Sequence, residues 1–381
     1  MSRLILVMLV AAAGCGGTRS DGPPATNDVG PSSTPADAGD PVVVAGAALY
    51  TKYCALCHGP AGAGYAADNA PSLVSRTFLE SADDGFLARS IELGRPGTAM
   101  AAYGKDLRGP LGDGDIKAIV AFLRAKGDVA TPIAAPAPLP GDPNRGKELY
   151  TTLCETCHGN PAQRQNAVHL ANPTFLALAS DGFLRYAIVF GRPGTPMEAF
   201  ANRLDGNQVA DVIAYVRSWS QPAGPETPPP PAPAPDGPVV INPRGKNPSF
   251  TARDNRFVPS AQIAAALAKK QRLVIIDARP PSDFVREHIP GSISVPHYDT
   301  SSLDRVPRDA VVIAYCACPH HASGVVVDEL LKRGHTKAYV LDEGILHWHR
   351  QGFPIVAADG SVPPAPPPHS AHDHAHHGHQ H

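Results

Sequence analysis

The sequence predicts a multidomain chain, helical through its first two thirds and α/β with a parallel sheet in its last third. Three observations predict it. A block of motifs recurs about one hundred residues apart, and both copies end in stretches with helical apolar spacing. Short apolar runs alternate with helical stretches between residues 256 and 358, the pattern of a parallel sheet. Proline-rich segments separate these regions in a chain of 381 residues, too long for one compact core.

The repeat is carried by two Cys-x-x-Cys-His motifs. The first is Cys54-Ala-Leu-Cys57-His58 and the second Cys154-Glu-Thr-Cys157-His158. Each is followed about forty residues later by a methionine, Met100 and Met197; the other two of the four methionines, Met1 and Met8, lie in an apolar leader. Cys-x-x-Cys-His is the attachment sequence of c-type haem: two thiols join the vinyl groups and the histidine ligates iron. A methionine opposite the histidine raises the reduction potential. A bare Cys-x-x-Cys also reads as a zinc half-site or a dithiol pair. Zinc needs a second ligand pair close by, and neither copy has one; a dithiol pair has no need of the histidine. Two covalent c-type haems, each with iron, are therefore expected, with Cys54, Cys57, His58 and Met100 holding one and Cys154, Cys157, His158 and Met197 the other.

The surroundings of both motifs resemble the small class I cytochromes c, over roughly residues 45 to 220. Gly46-x-x-Leu49-Tyr50 and Gly146-x-x-Leu149-Tyr150 stand where that family has its N-terminal helix. The resemblance implies two all-α domains. It also implies that each glycine lets an aromatic of the C-terminal helix pack across it, with Phe122 and Tyr215 as partners. The methionine loops repeat as Gly94-Arg-Pro-Gly-Thr-Ala-Met100 and Gly191-Arg-Pro-Gly-Thr-Pro-Met197, which read as turns, with Tyr103 and Phe200 three residues on. Pro71 and Pro173 correspond to the family's proline whose carbonyl holds the ligand histidine.

Residues 256 to 358 have a different grammar. Leu273 to Asp277, Val311 to Tyr315 and Lys337 to Leu341 read as buried strands; Ala261 to Lys269 and Ser323 to Arg333 read as helices. Cys316 then lies between a strand end and a helix start, where backbone N–H groups favour a thiolate. Ile276-Asp277-Ala278-Arg279, His288-Ile-Pro-Gly-Ser292 and Leu341-Asp-Glu-Gly344-Ile-Leu-His-Trp348 resemble, in order, three motifs of the rhodanese-like domains. That resemblance implies an α/β domain with a parallel sheet, and a catalytic Cys316 that carries sulfane sulfur as a persulfide. The loop departs from the family pattern. Cys316-Ala-Cys-Pro-His-His-Ala-Ser323 is one residue longer than the common loop and lacks both arginines that bind an anionic donor such as thiosulfate. The domain is either a sulfurtransferase or a degenerate binding module. Cys318 is either a resolving thiol or a structural variant. His320 and His321 read as loop residues, or with both cysteines as a soft copper(I) site. His169, His297 and His335 are given no role.

The chain divides as follows. Residues 1–14 form a lipoprotein signal peptide: one arginine, ten apolar residues and small residues before Cys15. The apolar run is too short to span a bilayer. Ala12-Ala13-Gly14-Cys15 resembles a bacterial lipobox, which implies lipidation at Cys15; ordinary cleavage near Ala13 is the alternative. Residues 15–44 are a tether, 45–128 the first cytochrome c domain, 129–143 a linker and 144–221 the second cytochrome c domain. Residues 222–255 form a Pro-rich linker, 256–358 the rhodanese-like domain and 359–381 a His-rich disordered tail. A polyproline segment is a semi-rigid spacer, so the third domain is expected tens of ångströms from the haem pair. The tail has seven histidines in its last thirteen residues and binds divalent metals.

These features place the protein on the periplasmic side of a bacterial membrane. It is lipid-anchored, and Gly16-Gly17 after the cysteine favours the outer membrane. The partners expected are redox proteins, a sulfane-sulfur donor and the membrane. A net charge of −2 with scattered basic residues excludes nucleic acid. Two functions compete: a di-haem carrier that links persulfide chemistry to electron transfer, and a respiratory carrier to a terminal oxidase or reductase with a non-catalytic docking or sensing domain.

Overall fold

A computed structural model describes residues 39–65, 70–133, 136, 139–220, 238–317 and 320–368. Cys15, Cys318 and the histidines of the tail lie outside the described residues. The described residues form one compact unit.

The first half is helical in two matching sets. The first set is α1 (Pro41–Tyr53), α2 (Ala55–His58), α3 (Arg76–Ser81), α4 (Asp84–Leu93) and α5 (Asp113–Lys126). The second is α6 (Pro143–Leu153), α7 (Glu155–His158), α8 (Pro173–Leu178), α9 (Asp181–Phe190) and α10 (Gly206–Arg217). The starts of α1 and α6 are chemically alike. Asp40 and Asp142 accept from the backbone N–H groups of Val42 (2.9 Å) and Asn144 (2.8 Å), and a proline follows each cap.

Each set is organised by one close helix crossing. A Cβ on Gly46 would lie 1.9 Å from the Ala118 carbonyl oxygen, and one on Gly146 1.9 Å from that of Asp211. Only hydrogen fits there. Phe122 and Tyr215 cover the two glycines, and their rings meet Tyr50 and Tyr150 at centroid distances of 5.1 and 5.5 Å. The aromatic pairing implied by the cytochrome resemblance is therefore present in both copies. The far ends of α5 and α10 are tied by arginines. Arg124 gives hydrogen bonds to Asp84 (2.9 Å) and to the Leu79 and Ala82 carbonyls (both 2.5 Å). Arg217 repeats this with Asp181 (2.6 Å), Leu176 O (2.7 Å) and Ala179 O.

The two helical sets share one apolar core. Phe86 and Phe183 meet at 4.6 Å between ring centroids, and Phe78 and Phe175 pack around them. Arg192 of the second set gives hydrogen bonds to Thr77 O (2.9 Å) and Ser81 Oγ (3.1 Å) of the first. Arg95 lies over Phe86 and Phe175, and Arg192 over Phe78 and Phe183. Burial lowers the pKa of each guanidinium to about 10, so both remain charged at neutral pH.

The last third is a five-stranded parallel sheet of order β1-β5-β4-β2-β3. Its elements are β1 (Phe257–Val258), α11 (Ser260–Ala268), β2 (Val274–Asp277), α12 (Pro281–Arg286), β3 (Ile293–Ser294), β4 (Val312–Tyr315), α13 (His321–Lys332), β5 (Ala338–Leu341) and α14 (Gly344–Arg350). Alternation along the strands builds two cores. Ile275, Ile313 and Tyr315 face one, and Val274, Ile276, Val312 and Ala314 the other. The helix over Ala261–Lys269 lies one residue earlier at both ends, and that over Ser323–Arg333 begins two residues earlier.

One expectation is overturned. The Pro-rich linker does not hold the sheet domain away from the helical pair. Ser282 Oγ donates to Ala102 O at 2.6 Å across the two, and both residues are buried. The Tyr53 and Tyr298 rings meet at 4.8 Å. Composition sets the stiffness of a linker; apolar surface and hydrogen bonds at its ends decide whether the joined domains dock. Part of the tail is also placed. Its end meets the helical pair: Arg164 N donates to Pro368 O at 3.0 Å, and a Cβ on Gly97 would lie 3.8 Å from Pro366.

Gly46→Ala and Gly146→Ala should each destabilise the protein by about 1–3 kcal/mol, the usual cost of overpacking a tight contact. Urea denaturation of each full-length variant measures this. Wild-type stability in both would mean that the crossings are looser than described.

Candidate functional site

The two motifs sit at equivalent places. α1 runs into the first, with Cys54 N bonded to Tyr50 O at 2.8 Å; α6 runs into the second, with Cys154 N bonded to Tyr150 O at 2.8 Å. One helical turn then sets the two cysteines of each motif three residues apart, on one face. The Tyr50 and Tyr150 hydroxyls donate to Gly59 O and Gly159 O, each at 2.7 Å, and brace the end of the motif.

The histidines are poised alike. His58 Nδ1 donates to Pro71 O at 2.9 Å, the carbonyl implied by the cytochrome resemblance. His158 Nδ1 donates to Val168 O at 2.8 Å, not to Pro173, whose ring instead opens α8. The connection differs in the second copy, so the carbonyl that reaches the ring comes ten residues after it rather than thirteen. A carbonyl only accepts, so both rings carry hydrogen on Nδ1 and a lone pair on Nε2. Burial lowers the pKa of both imidazoles and keeps them neutral. A neutral ring with an open Nε2 lone pair is what a metal ligand requires.

The thiols fit covalent attachment better than dithiol redox work. None of Cys54, Cys57, Cys154 or Cys157 forms a disulfide. Burial, with the neighbouring Cys57, pushes Cys54 up to about 12; burial, with Cys157, pushes Cys154 up to about 11. A reactive pair needs a lowered pKa.

The methionine loops are superposable in their bonding. Arg95 N donates to Met100 O at 2.7 Å, and Met100 N to Thr98 Oγ1 at 3.1 Å. Arg192 N donates to Met197 O at 2.8 Å, and Met197 N to Thr195 Oγ1 at 3.2 Å. Gly97 and Gly194 take φ of 78° and 82°, which glycine adopts without strain. Tyr103 Oη then donates to Tyr53 O at 3.1 Å, joining the first loop to the end of α1, and Phe200 is buried in the second. The donor set in each copy suits a c-type haem. Such a group supplies one-electron chemistry. The residues would anchor it by two thioethers, offer its iron Nε2 of the histidine and the sulfur of the methionine as ligands, and exclude water with the surrounding aromatics.

The sheet domain has its own site. Cys316 follows β4, is 2% exposed, and places Sγ 3.3 Å from Ser323 Oγ in the first turn of α13. Ile345 N donates to Cys316 O at 2.9 Å. Gly344 lies so close that a Cβ there would be 2.9 Å from that same oxygen. His320, in the left-handed region at φ 79°, packs tilted against Phe257 with ring centroids 4.0 Å apart and places Nε2 2.8 Å from Asp342 Oδ1. His320 is thus engaged by a carboxylate rather than by the sulfur of Cys316. The nearby arginines are engaged too: Arg253 with Asp342 at 2.7 Å, Arg256 with Asp328 at 2.6 Å. The rhodanese-type motifs hold the frame. Arg279 pairs with the buried Asp277 at 2.8 Å, and Trp348 Nε1 donates to Pro354 O at 2.9 Å. His169 Nε2 donates to Asn160 O at 2.9 Å, a structural contact.

Sequence reasoning missed Arg124 and Arg217. The signal was there: each stands two residues after the aromatic that covers the repeat glycine.

Comparison with known proteins agrees with this division. Residues 41–123 and 141–216 match the family "Cytochrome C oxidase, cbb3-type, subunit III", and residues 260–351 match "Rhodanese-like domain". A cbb3-type cytochrome c oxidase subunit FixP of Bradyrhizobium diazoefficiens is 28% identical over 194 residues, covering 47% of this chain and 63% of that protein. A cbb3-type cytochrome c oxidase subunit CcoP of an Azospirillum species is 26% identical over 191 residues, covering 45% of this chain and 60% of its own. The chain thus spans about three fifths of these cytochrome relatives. A sulfurtransferase of Allochromatium vinosum is 27% identical over 104 residues, covering 27% of this chain and 96% of that protein. A chain of the reducing HAO-like protein complex of Kuenenia stuttgartiensis is 23% identical over 46% of this chain and 96% of its own, with a TM-score of 0.32. Among the described residues, no helix is long and apolar enough to cross a membrane. The chain is a tandem of cytochrome c domains, which match the cbb3-type subunit III model, followed by an α/β rhodanese-like domain.

Proposed function

We propose that the protein is a di-haem c-type electron carrier on the periplasmic side of a bacterial membrane, tethered by lipid on Cys15, and that its rhodanese-like domain couples sulfane-sulfur chemistry to the haems. The observation that carries the haem assignment is the matched state of His58 and His158. Both rings are neutral, both donate from Nδ1 to a backbone carbonyl, and both keep Nε2 free. His58 with Met100 and His158 with Met197 are the axial pairs. The sulfur role rests on Cys316 at the end of β4 beside Ser323, and on the sulfurtransferase relative.

A second reading has its own support. The cytochrome relatives are named as oxidase subunits, which favours delivery of electrons to a terminal oxidase, with the rhodanese-like domain as a docking module. Anaerobic mixing of the ferric protein with glutathione persulfide separates the two. Coupling predicts sulfur transferred to Cys316 without loss of electrons, then haem reduction as the Cys316 persulfide and the released glutathione thiolate join in a trisulfide, two electrons for that S–S bond; both are lost in Cys316→Ser. Equal reduction in the variant supports the docking role.

A pyridine haemochrome assay should find two haems per chain, and one or none would contradict the assignment. Met100→His and Met197→His should each lower the potential of one haem and leave the other, because the thioether favours ferrous iron more than imidazole does. Redox titrations with both haems unmoved would remove these methionines as ligands. Cys15→Ser should move the protein from the membrane to the soluble fraction; an unchanged distribution would place the anchor elsewhere.

A further inference from the structure

The edge of the sheet that holds Cys316 is the edge seated on the first cytochrome domain. Ser282, beyond β2, donates to Ala102 O at 2.6 Å. Tyr298, beyond β3, meets Tyr53 at 4.8 Å. α13, which follows the Cys316 loop beyond β4, lies against α2, the helix of Cys57 and His58. Ala99, next to Met100, packs on the sheet core that includes Ala317 and Leu346. Every one of these sheet-domain contacts comes from beyond the C-terminal end of a parallel strand, where α/β sheets form their ligand crevices. The sulfur loop and the first haem motif therefore face each other across one interface.

Redox accounting says which sulfur donor such a junction serves. Transfer of sulfane sulfur from thiosulfate or from a persulfide to a thiolate moves no electrons to an acceptor, so it has no need of a haem beside it. Joining hydrosulfide to a thiolate does. The loop lacks the arginines for a dianionic donor, and Arg253 and Arg256 are occupied by Asp342 and Asp328. Cys316 is 2% exposed, which favours a small donor.

We propose that Cys316 is a hydrosulfide-oxidising site whose first electron acceptor is the haem at His58. The step balances as Cys316 thiolate plus HS⁻ giving Cys316 persulfide, with one S–S bond formed, one proton released and two electrons removed. The electrons leave one at a time, and the two ferric haems take one each. Ser282 and Tyr298 are positioning residues that hold the thiol against the haem domain. This inference rests on the haem and Cys316 assignments above, and it adds the donor and the route.

The test uses the full-length ferric protein, mixed anaerobically with limiting sodium sulfide. Stopped-flow spectra follow haem reduction, and peptide mass mapping follows Cys316. The expected result is a fast phase that reduces two haems per sulfide consumed and adds one sulfur atom to the Cys316 peptide. Cys316→Ser should lose both. Ser282→Arg and the milder Tyr298→Ala, each checked for an unchanged circular dichroism spectrum, should lose the fast phase yet still accept sulfur on Cys316 from glutathione persulfide. Haem reduction at wild-type rate in Cys316→Ser overturns the inference together with the sulfur coupling. Sulfur accepted from glutathione persulfide but none gained from sulfide overturns the inference alone. So does a fast phase that survives in both interface variants.

Discussion

Two pairs of helices cross with no room for a side-chain atom, at Gly46 over Ala118 and at Gly146 over Asp211. Each cytochrome c unit is built outwards from that contact. One turn beyond the glycine, Tyr50 or Tyr150 lies under the partner helix and reaches forward to the carbonyl that ends the Cys-x-x-Cys-His turn. At the far end of the partner helix, Arg124 or Arg217 collects two carbonyls and an aspartate from the helices leading to the methionine loop. Histidine and methionine are thus referred to the same crossing from opposite sides. The aromatic contact of Phe86 with Phe183, flanked by Arg95 and Arg192, then joins the two units into one body.

The rhodanese-like domain adds a second constraint. Among the described residues, Ser282, Tyr298 and α13, each beyond the C-terminal end of a strand, meet the first cytochrome unit. A hydrogen bond buried on both sides, Ser282 to Ala102, means that the interface is dry there and that an unmade bond would leave polar groups stranded. The same contact encloses Tyr103, whose phenol is pushed well above its ordinary range, first by burial and then by Cys54 and Cys57. The rhodanese-like domain and the first cytochrome c domain lie on two sides of one interface rather than at two ends of a tether.

Much of this was legible in the sequence because it is local. The motif spacing and the buried strands around Val274, Val312 and Ala338 follow from repeat alignment and periodicity, and the covering aromatics Phe122 and Tyr215 follow from the resemblance to the small class I cytochromes c. The misses are not local. Pro173 was assigned by analogy to Pro71, but which carbonyl meets a histidine depends on the path of the loop, and the second loop takes Val168 there. Arg124 and Arg217 belong to no motif of the sequence reading, and their roles show once the carbonyls of Leu79 and Leu176 turn towards them. The docking of the third domain was read wrongly because a polyproline run reports stiffness, not the affinity of the surfaces it joins.

Hydrogen–deuterium exchange on the full-length protein tests that docking most directly. The account predicts slow exchange in the segments around Met100 to Tyr103 and around Ser282 to Tyr298 in the wild type. Both should speed up together in Ser282→Arg, while the Gly46 crossing stays protected. Fast exchange of both segments in the wild type, or no change in the variant, would contradict it.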